Sequence, residues 1–152
     1  MKQGSDLDGL LGYRIELTHL IAIEDARLAL APYGLTPAKL TALLLIRANP
    51  GCDQTALGKA LSVNRSSAMK LVNVLVDHGL IERRPGRDLR TNALHLLPGG
   101  EERVAEMLDR LRESDRRLGA DLTAAERATL MALLKKLRKP RAARRGATTT
   151  DG

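Results

Sequence analysis

The sequence predicts a mainly α fold with one small two-stranded β-hairpin. Three observations predict it. Apolar residues recur at helical spacing along most of the 152 residues. One turn-rich segment, Pro85-Gly86-Arg87-Asp88-Leu89, separates two short apolar-rich runs, Leu80–Arg84 and Thr91–Leu97, which is the pattern of a hairpin. Helix-start and helix-stop residues punctuate the remainder.

The elements follow in order. Leu10, Leu17, Leu20, Ile21 and Leu28 share helical spacing and predict an amphipathic helix over roughly 8–31. Pro32-Tyr33-Gly34 breaks it. Thr36 caps a second helix with Pro37 at its first position, where the missing N–H costs nothing. Leu40, Leu43 and Leu44 form its buried face, and Asn49-Pro50-Gly51 ends it. Asp53 caps a short third helix reaching about Ala60. Asn64 caps a fourth reaching about His78, and Gly79 supplies the left-handed residue beyond its end. After the hairpin, Pro98-Gly99-Gly100 leads into a charged helix over roughly 100–119, with Val104, Leu108, Leu111 and Leu118 on one stripe. Thr123-Ala124-Ala125-Glu126 is a capping box for a last helix running to about Leu137. Its Leu130, Leu134 and Leu137 share a face. Residues 139–152, basic and rich in Thr and Gly, read as a disordered tail.

Composition removes whole classes of function. An apolar content of 43% excludes a disordered polar chain. Apolar runs such as Leu43–Ile46 are far too short to span a membrane. Met1–Asp6 leads into no apolar stretch, so no secretory signal is expected, and the single Cys52 fits a reducing cytoplasm. One Cys also excludes an internal disulfide framework and an all-Cys metal site. With two Tyr and no Phe or Trp, the core must be aliphatic, and base-stacking on single strands is a poor mode of binding. Lys and Arg number 25 against 18 Asp and Glu, a net charge of +7, which favours a polyanionic partner. The segment Lys135–Arg145 holds seven basic residues and no acid, equal to that whole excess. The argument for nucleic acid must therefore come from local pattern.

That pattern lies in 53–97, where helix, helix and hairpin follow in the order of a winged helix-turn-helix. Ala56, Leu57 and Leu61 are expected to meet Ala68, Leu71, Val72 and Leu75, with Val63 buried in the turn. Small Ala56 and Ala68 let the two helices cross closely. Asn64, Arg65, Ser66, Ser67, Met69, Lys70 and Asn73 occupy the opposite, exposed side of the fourth helix. A helix fits the major groove with its N-terminal residues on base edges. Arg65 can pair with guanine in bidentate fashion, and the serines can reach phosphate or base. In the hairpin, Arg83, Arg84, Arg87 and Arg90 place four cations in eight residues, suited to the backbone or the minor groove. Asp88 is expected to orient Arg90 or Arg84.

These residues carry a resemblance. Gly34-Leu35-Thr36, the Leu57-to-Leu75 pattern, Gly79-Leu80-Ile81-Glu82-Arg83, Asp88-Leu89-Arg90, Leu94-x-Leu96 and Pro98-x-Gly100 are similar to the MarR family of bacterial transcription regulators. With the flanking helices the likeness covers about residues 8–138. It implies a homodimer joined through 8–34 and 99–138, a DNA-binding unit at 35–98, and an effector pocket between them. Two departures stand out. Leu97 replaces a frequent helix-capping Thr, and Val74 replaces a usually polar residue. Dimerisation has support apart from the family, because the terminal helices carry more exposed Leu than a small winged unit can cover.

Tyr13, Arg14 and His19 on the first helix are candidate contacts for an aromatic or acidic effector. His19, His78 and His95 share no metal-ligand motif with Cys52, and no cofactor is expected. Cys52 precedes a helix N-terminus, which favours the thiolate and makes it a candidate redox residue; the alternative is a small half-buried side chain. No Gly-rich phosphate loop or nucleophile motif points to an enzyme. The expected function is a homodimeric repressor on a pseudopalindromic operator of ~16–20 bp, released by a small effector. The alternative is a constitutive activator or architectural protein on double-stranded DNA, without a ligand.

Overall fold

The computed structural model describes residues 5–86 and 92–137. The chain divides into two compact units, Met1–Leu118 and Gly119–Gly152. In the first unit, α1 is Ser5–Asp8 and α2 is Leu11–Leu30, continued by a 3-10 turn at Ala31–Tyr33. Then come α3 (Pro37–Ala48), β1 (Cys52–Asp53), α4 (Gln54–Ala60), α5 (Arg65–Asp77), β2 (Ile81–Pro85), β3 (Asn92–Leu96) and α6 (Pro98–Leu118). The described part of the second unit contains α7, Ala124–Leu137. Arg87, Asp88, Leu89 and Arg90, and the tail expected at 139–152, lie outside the described residues.

The expected winged helix-turn-helix is present, and its wing gains a strand. The sheet has the order β1-β3-β2 with both pairings antiparallel. Leu94 of β3 lies between Cys52 and Arg83, while Ile81 faces Leu96. A two-residue strand has no periodicity, so β1 leaves no trace in the sequence. An aliphatic core joins α3, α4, α5, the sheet and α6 through Leu40, Leu43, Ile46, Leu57, Val72, Leu75, Ile81, Leu94, Val104 and Met107. It holds the recognition unit as one body with the helix that follows it.

Several local expectations hold in atomic detail. Thr36 accepts a hydrogen bond from the Lys39 N–H, Asp53 from Ala56 and Asn64 from Ser67. Gly79 takes φ 65° just after α5. In the second unit, Glu126 accepts from the Thr123 N–H at 2.8 Å and Thr123 Oγ1 accepts from the Glu126 N–H at 3.3 Å, closing the capping box.

Others are corrected. The first helix breaks at Gly9-Leu10, where Gly is a weak helix former and Leu10 provides no side-chain cap. Its predicted stripe does not face the core: Leu10, Leu20, Ile21 and Leu28 are exposed, and Ala26 and Leu30 are buried instead. Ala56 is exposed, and the close crossing of α4 and α5 uses Gly58, whose missing Cβ would stand 3.2 Å from that of Ala68. Val63 is 39% exposed rather than buried. The last Leu stripe of α7 is exposed too, with Leu130, Met131, Leu133, Leu134 and Leu137 all uncovered.

The start of α6 is fixed by backbone alone. The Leu97 N–H donates to the Leu80 carbonyl at 3.0 Å, and the Leu97 carbonyl accepts from Glu101 at 3.0 Å. Gly100 makes this approach feasible, since a Cβ there would lie 2.1 Å from the Leu80 oxygen. Among the described residues no single helix is long and apolar enough to cross a membrane.

Candidate nucleic-acid interface

The interface is built on α5. Ala68, Val72 and Leu75 bury one side of this helix, and that burial fixes its rotation. Arg65, Ser66, Ser67, Met69, Lys70 and Asn73 are exposed on the other side. The entry turn is tight: the Val63 N–H donates to the Gly58 carbonyl at 3.0 Å, and Ser62 takes a left-handed φ of 56°. Asn64 then uses its side chain to satisfy Ser67, at 2.8 Å. The first N–H groups of α5 point outward with the positive end of the helix dipole behind them. No acid occurs between Asn64 and Val76, so Arg65 and Lys70 act on a surface without an opposing carboxylate in that helix segment.

The short α4 adds residues that sequence reasoning missed. Gln54, Thr55, Lys59 and Arg65 line a notch of about 220 Å³ whose floor is Gly58, Val63 and Ala68. The available signal was the general rule that the first helix of a helix-turn-helix crosses the phosphate backbone.

In the wing, both described arginines have protein partners. Arg83 on β2 donates from Nη2 to Asn73 Oδ1 on α5. Arg84 donates from Nε to Glu82 Oε1 at 2.7 Å and forms an ion pair with the same carboxylate. Arg87, Asp88 and Arg90 lie outside the described residues, so the expected orienting role of Asp88 does too.

The effector candidates on α2 are not gathered into one site. Arg14 is held by Asp8, its Nη2 2.9 Å from Oδ1. Tyr13 is half-buried and His19 is exposed. A cleft of about 330 Å³ lies between α2 and α6, lined by Ala22, Ala26, Leu108, Leu111, Arg112, Ser114, Asp115 and Leu118. None of the three candidates lines it. Among the described residues there is no group of three or more His, Cys, Asp or Glu able to hold a metal. The Cys52 thiol is pushed up from its ordinary value, by burial first and by the neighbouring Asp53 carboxylate second. This reverses the expectation drawn from its place before α4.

Comparison with known proteins settles the family. Residues 33–90 match a model described as the MarR family. The chain is 32% identical over 142 residues to the multiple antibiotic resistance protein MarR of Escherichia coli K12, covering 90% of this chain and 99% of that one. The chain belongs to the MarR family. A second relative, named for transcriptional regulation of the hcr operon in Thauera aromatica, is 37% identical over 131 residues, 85% of this chain and 79% of its own. Among solved structures, the transcriptional repressor CouR bound to a 23-mer DNA duplex superposes with a TM-score of 0.86 at 29% identity, covering 91% of this chain and 99% of that chain. As a MarR-family member, the chain is a DNA-binding transcriptional regulator and not an enzyme.

Proposed function

We propose that the chain acts in the cytoplasm as a homodimeric repressor on a pseudopalindromic operator, with release by a small-molecule effector. The observation that carries the DNA reading is the exposed, acid-free ridge Arg65–Ser66–Met69–Lys70, set on a helix whose other side is locked in the core. Asn64, Ser67 and Asn73 flank this ridge, Arg83 and Arg84 stand on β2, and by their place in the sequence Arg87 and Arg90 are assigned to DNA contact, with Asp88 orienting an arginine. Apolar residues left uncovered on α2 and α7 support pairing of two copies through these terminal helices. CouR is known both on a DNA duplex and bound to p-coumaroyl-CoA, which supports effector control of this fold. The effector is aromatic or acidic and is met by Tyr13, Arg14 or His19.

The test is a footprint on a duplex selected by the wild-type protein from a random pool. Protection of two major-groove segments about one helical turn apart supports the reading. No protection of any duplex at low salt overturns it. One observation favours the constitutive alternative: the cleft between α2 and α6 contains no aromatic ring. Thermal stability in the presence of carboxylate-bearing metabolites separates the two, since a repressor with an effector melts higher with it.

A further inference from the structure

Resting on the DNA-binding reading, we infer that Asn73 does not read DNA but positions the wing, by bracing Arg83 against the recognition helix. Asn73 lies seven residues after Ser66 on α5, on nearly the same face but about 10 Å further along the axis. In a helix-turn-helix the N-terminal residues of the recognition helix enter the groove, so a residue that far along stands away from the base edges. Strand alternation places Ile81 and Arg83 on one side of β2 and Glu82 and Arg84 on the other. Ile81 is buried in the core, and Arg83, one pleat further out, reaches back toward α5. There its guanidinium donates to Asn73 Oδ1, a contact spanning ten residues of sequence and joining helix to wing.

The neighbouring Arg84 is tied to Glu82 within the same strand, so it cannot serve this purpose. Both Asn73 and Arg83 are exposed, so the contact adds little to folding. Its consequence is directional. The β2–β3 pair is anchored by buried Ile81 and by buried Leu94, which lies opposite Arg83, and at that level the Arg83–Asn73 contact adds a side-chain link to α5. That link sets the angle at which the wing meets DNA beside the groove occupied by α5.

Test the brace by footprinting on a duplex selected by wild-type protein, with Asn73→Ala, Arg83→Ala, the double variant and Asn73→Asp. Asn73→Ala is expected to weaken binding about two- to five-fold, the size of one exposed charge-assisted contact. It should lose protection flanking the major-groove sites while its base preference stays that of wild type. The double variant should bind no more weakly than Arg83→Ala alone. Asn73→Asp keeps the acceptor oxygen and should keep the flanking protection. Multiplicative losses in the double variant, or a changed base preference at one operator position in Asn73→Ala, overturn the brace. Unchanged flanking protection in Asn73→Ala overturns it too. Failure of the DNA-binding reading itself is recognised separately, because wild-type protein then shows no footprint before any substitution is made.

Discussion

Arg65 is the first helical residue of α5, exposed beside the Asn64 cap and over the notch formed with α4. Its guanidinium can reach either a base edge or a phosphate. A bidentate contact with guanine predicts that Arg65→Ala costs about 1–3 kcal/mol of binding and relaxes preference at one operator position. Measured on a set of single-base operator variants, a uniform loss across all of them would instead assign Arg65 to phosphate. Cys52 shows a limit of reasoning from position alone. Its place before a helix suggested an activated thiol, but α4 is only seven residues long and is capped by Asp53, whose carboxylate opposes a thiolate. Burial acts in the same direction and more strongly. A raised pKa means a smaller thiolate fraction at neutral pH. Iodoacetamide is therefore expected to alkylate Cys52 more slowly than an unstructured cysteine peptide at pH 7.5, with the difference shrinking as pH rises toward the thiol's own titration.

At the level of elements, start and stop signals were legible because they act over three or four residues. Thr36, Asp53, Asn64 and Thr123 all cap the helices that their positions announce. The acidic partner in the last of these gives a titration test. Glu126 accepts bonds from the Thr123 N–H and hydroxyl, and these hold its carboxyl below the usual range. The capping contribution is complete above the ordinary carboxylate pKa and is lost as pH falls through the lowered one. Thr123→Ala removes the hydroxyl but keeps the backbone N–H, so the Glu126 titration, followed by carboxyl NMR, should rise only part of the way toward the ordinary carboxylate range. What the sequence did not disclose were contacts between distant segments. The docking of α6 on the Leu80 carbonyl depends on Gly100, whose neighbours in sequence say nothing of Leu80. Gly100→Ala forces a methyl to within 2.1 Å of that oxygen unless α6 shifts. A loss of at least about 1–3 kcal/mol in denaturant unfolding is expected, as for other overpacked sites. A loss near zero would show that the start of α6 is free to move. The exposed face of α2 is the same lesson in reverse. Helical spacing identified its Leu stripe, but spacing cannot distinguish a face turned to the chain's own core from one turned outward.

For the whole molecule, that outward stripe is the strongest reason to expect two copies acting together. Ile21 is 60% exposed on α2 and Leu133 50% exposed on α7, and each sits among other uncovered aliphatic residues. A single chain leaves each of these two apolar faces in water, whereas a symmetric pair can cover the same face on both copies. Covering it also joins two recognition helices, so that the second half-site is bound as an intramolecular event. Charge placed on this surface should therefore act on assembly and on DNA together while leaving each fold intact. Ile21→Glu and Leu133→Glu are each expected to move the sedimenting species from twice 16.5 kDa toward a single chain at micromolar concentration. Operator affinity should fall on the order of 10²-fold, the usual gain from linking two modest sites. Retained helical circular dichroism in the same samples distinguishes dissociation from unfolding. If the wild-type chain already sediments at 16.5 kDa and still binds a selected duplex tightly, the operator is read by one recognition unit, and the exposed stripes serve something other than self-association.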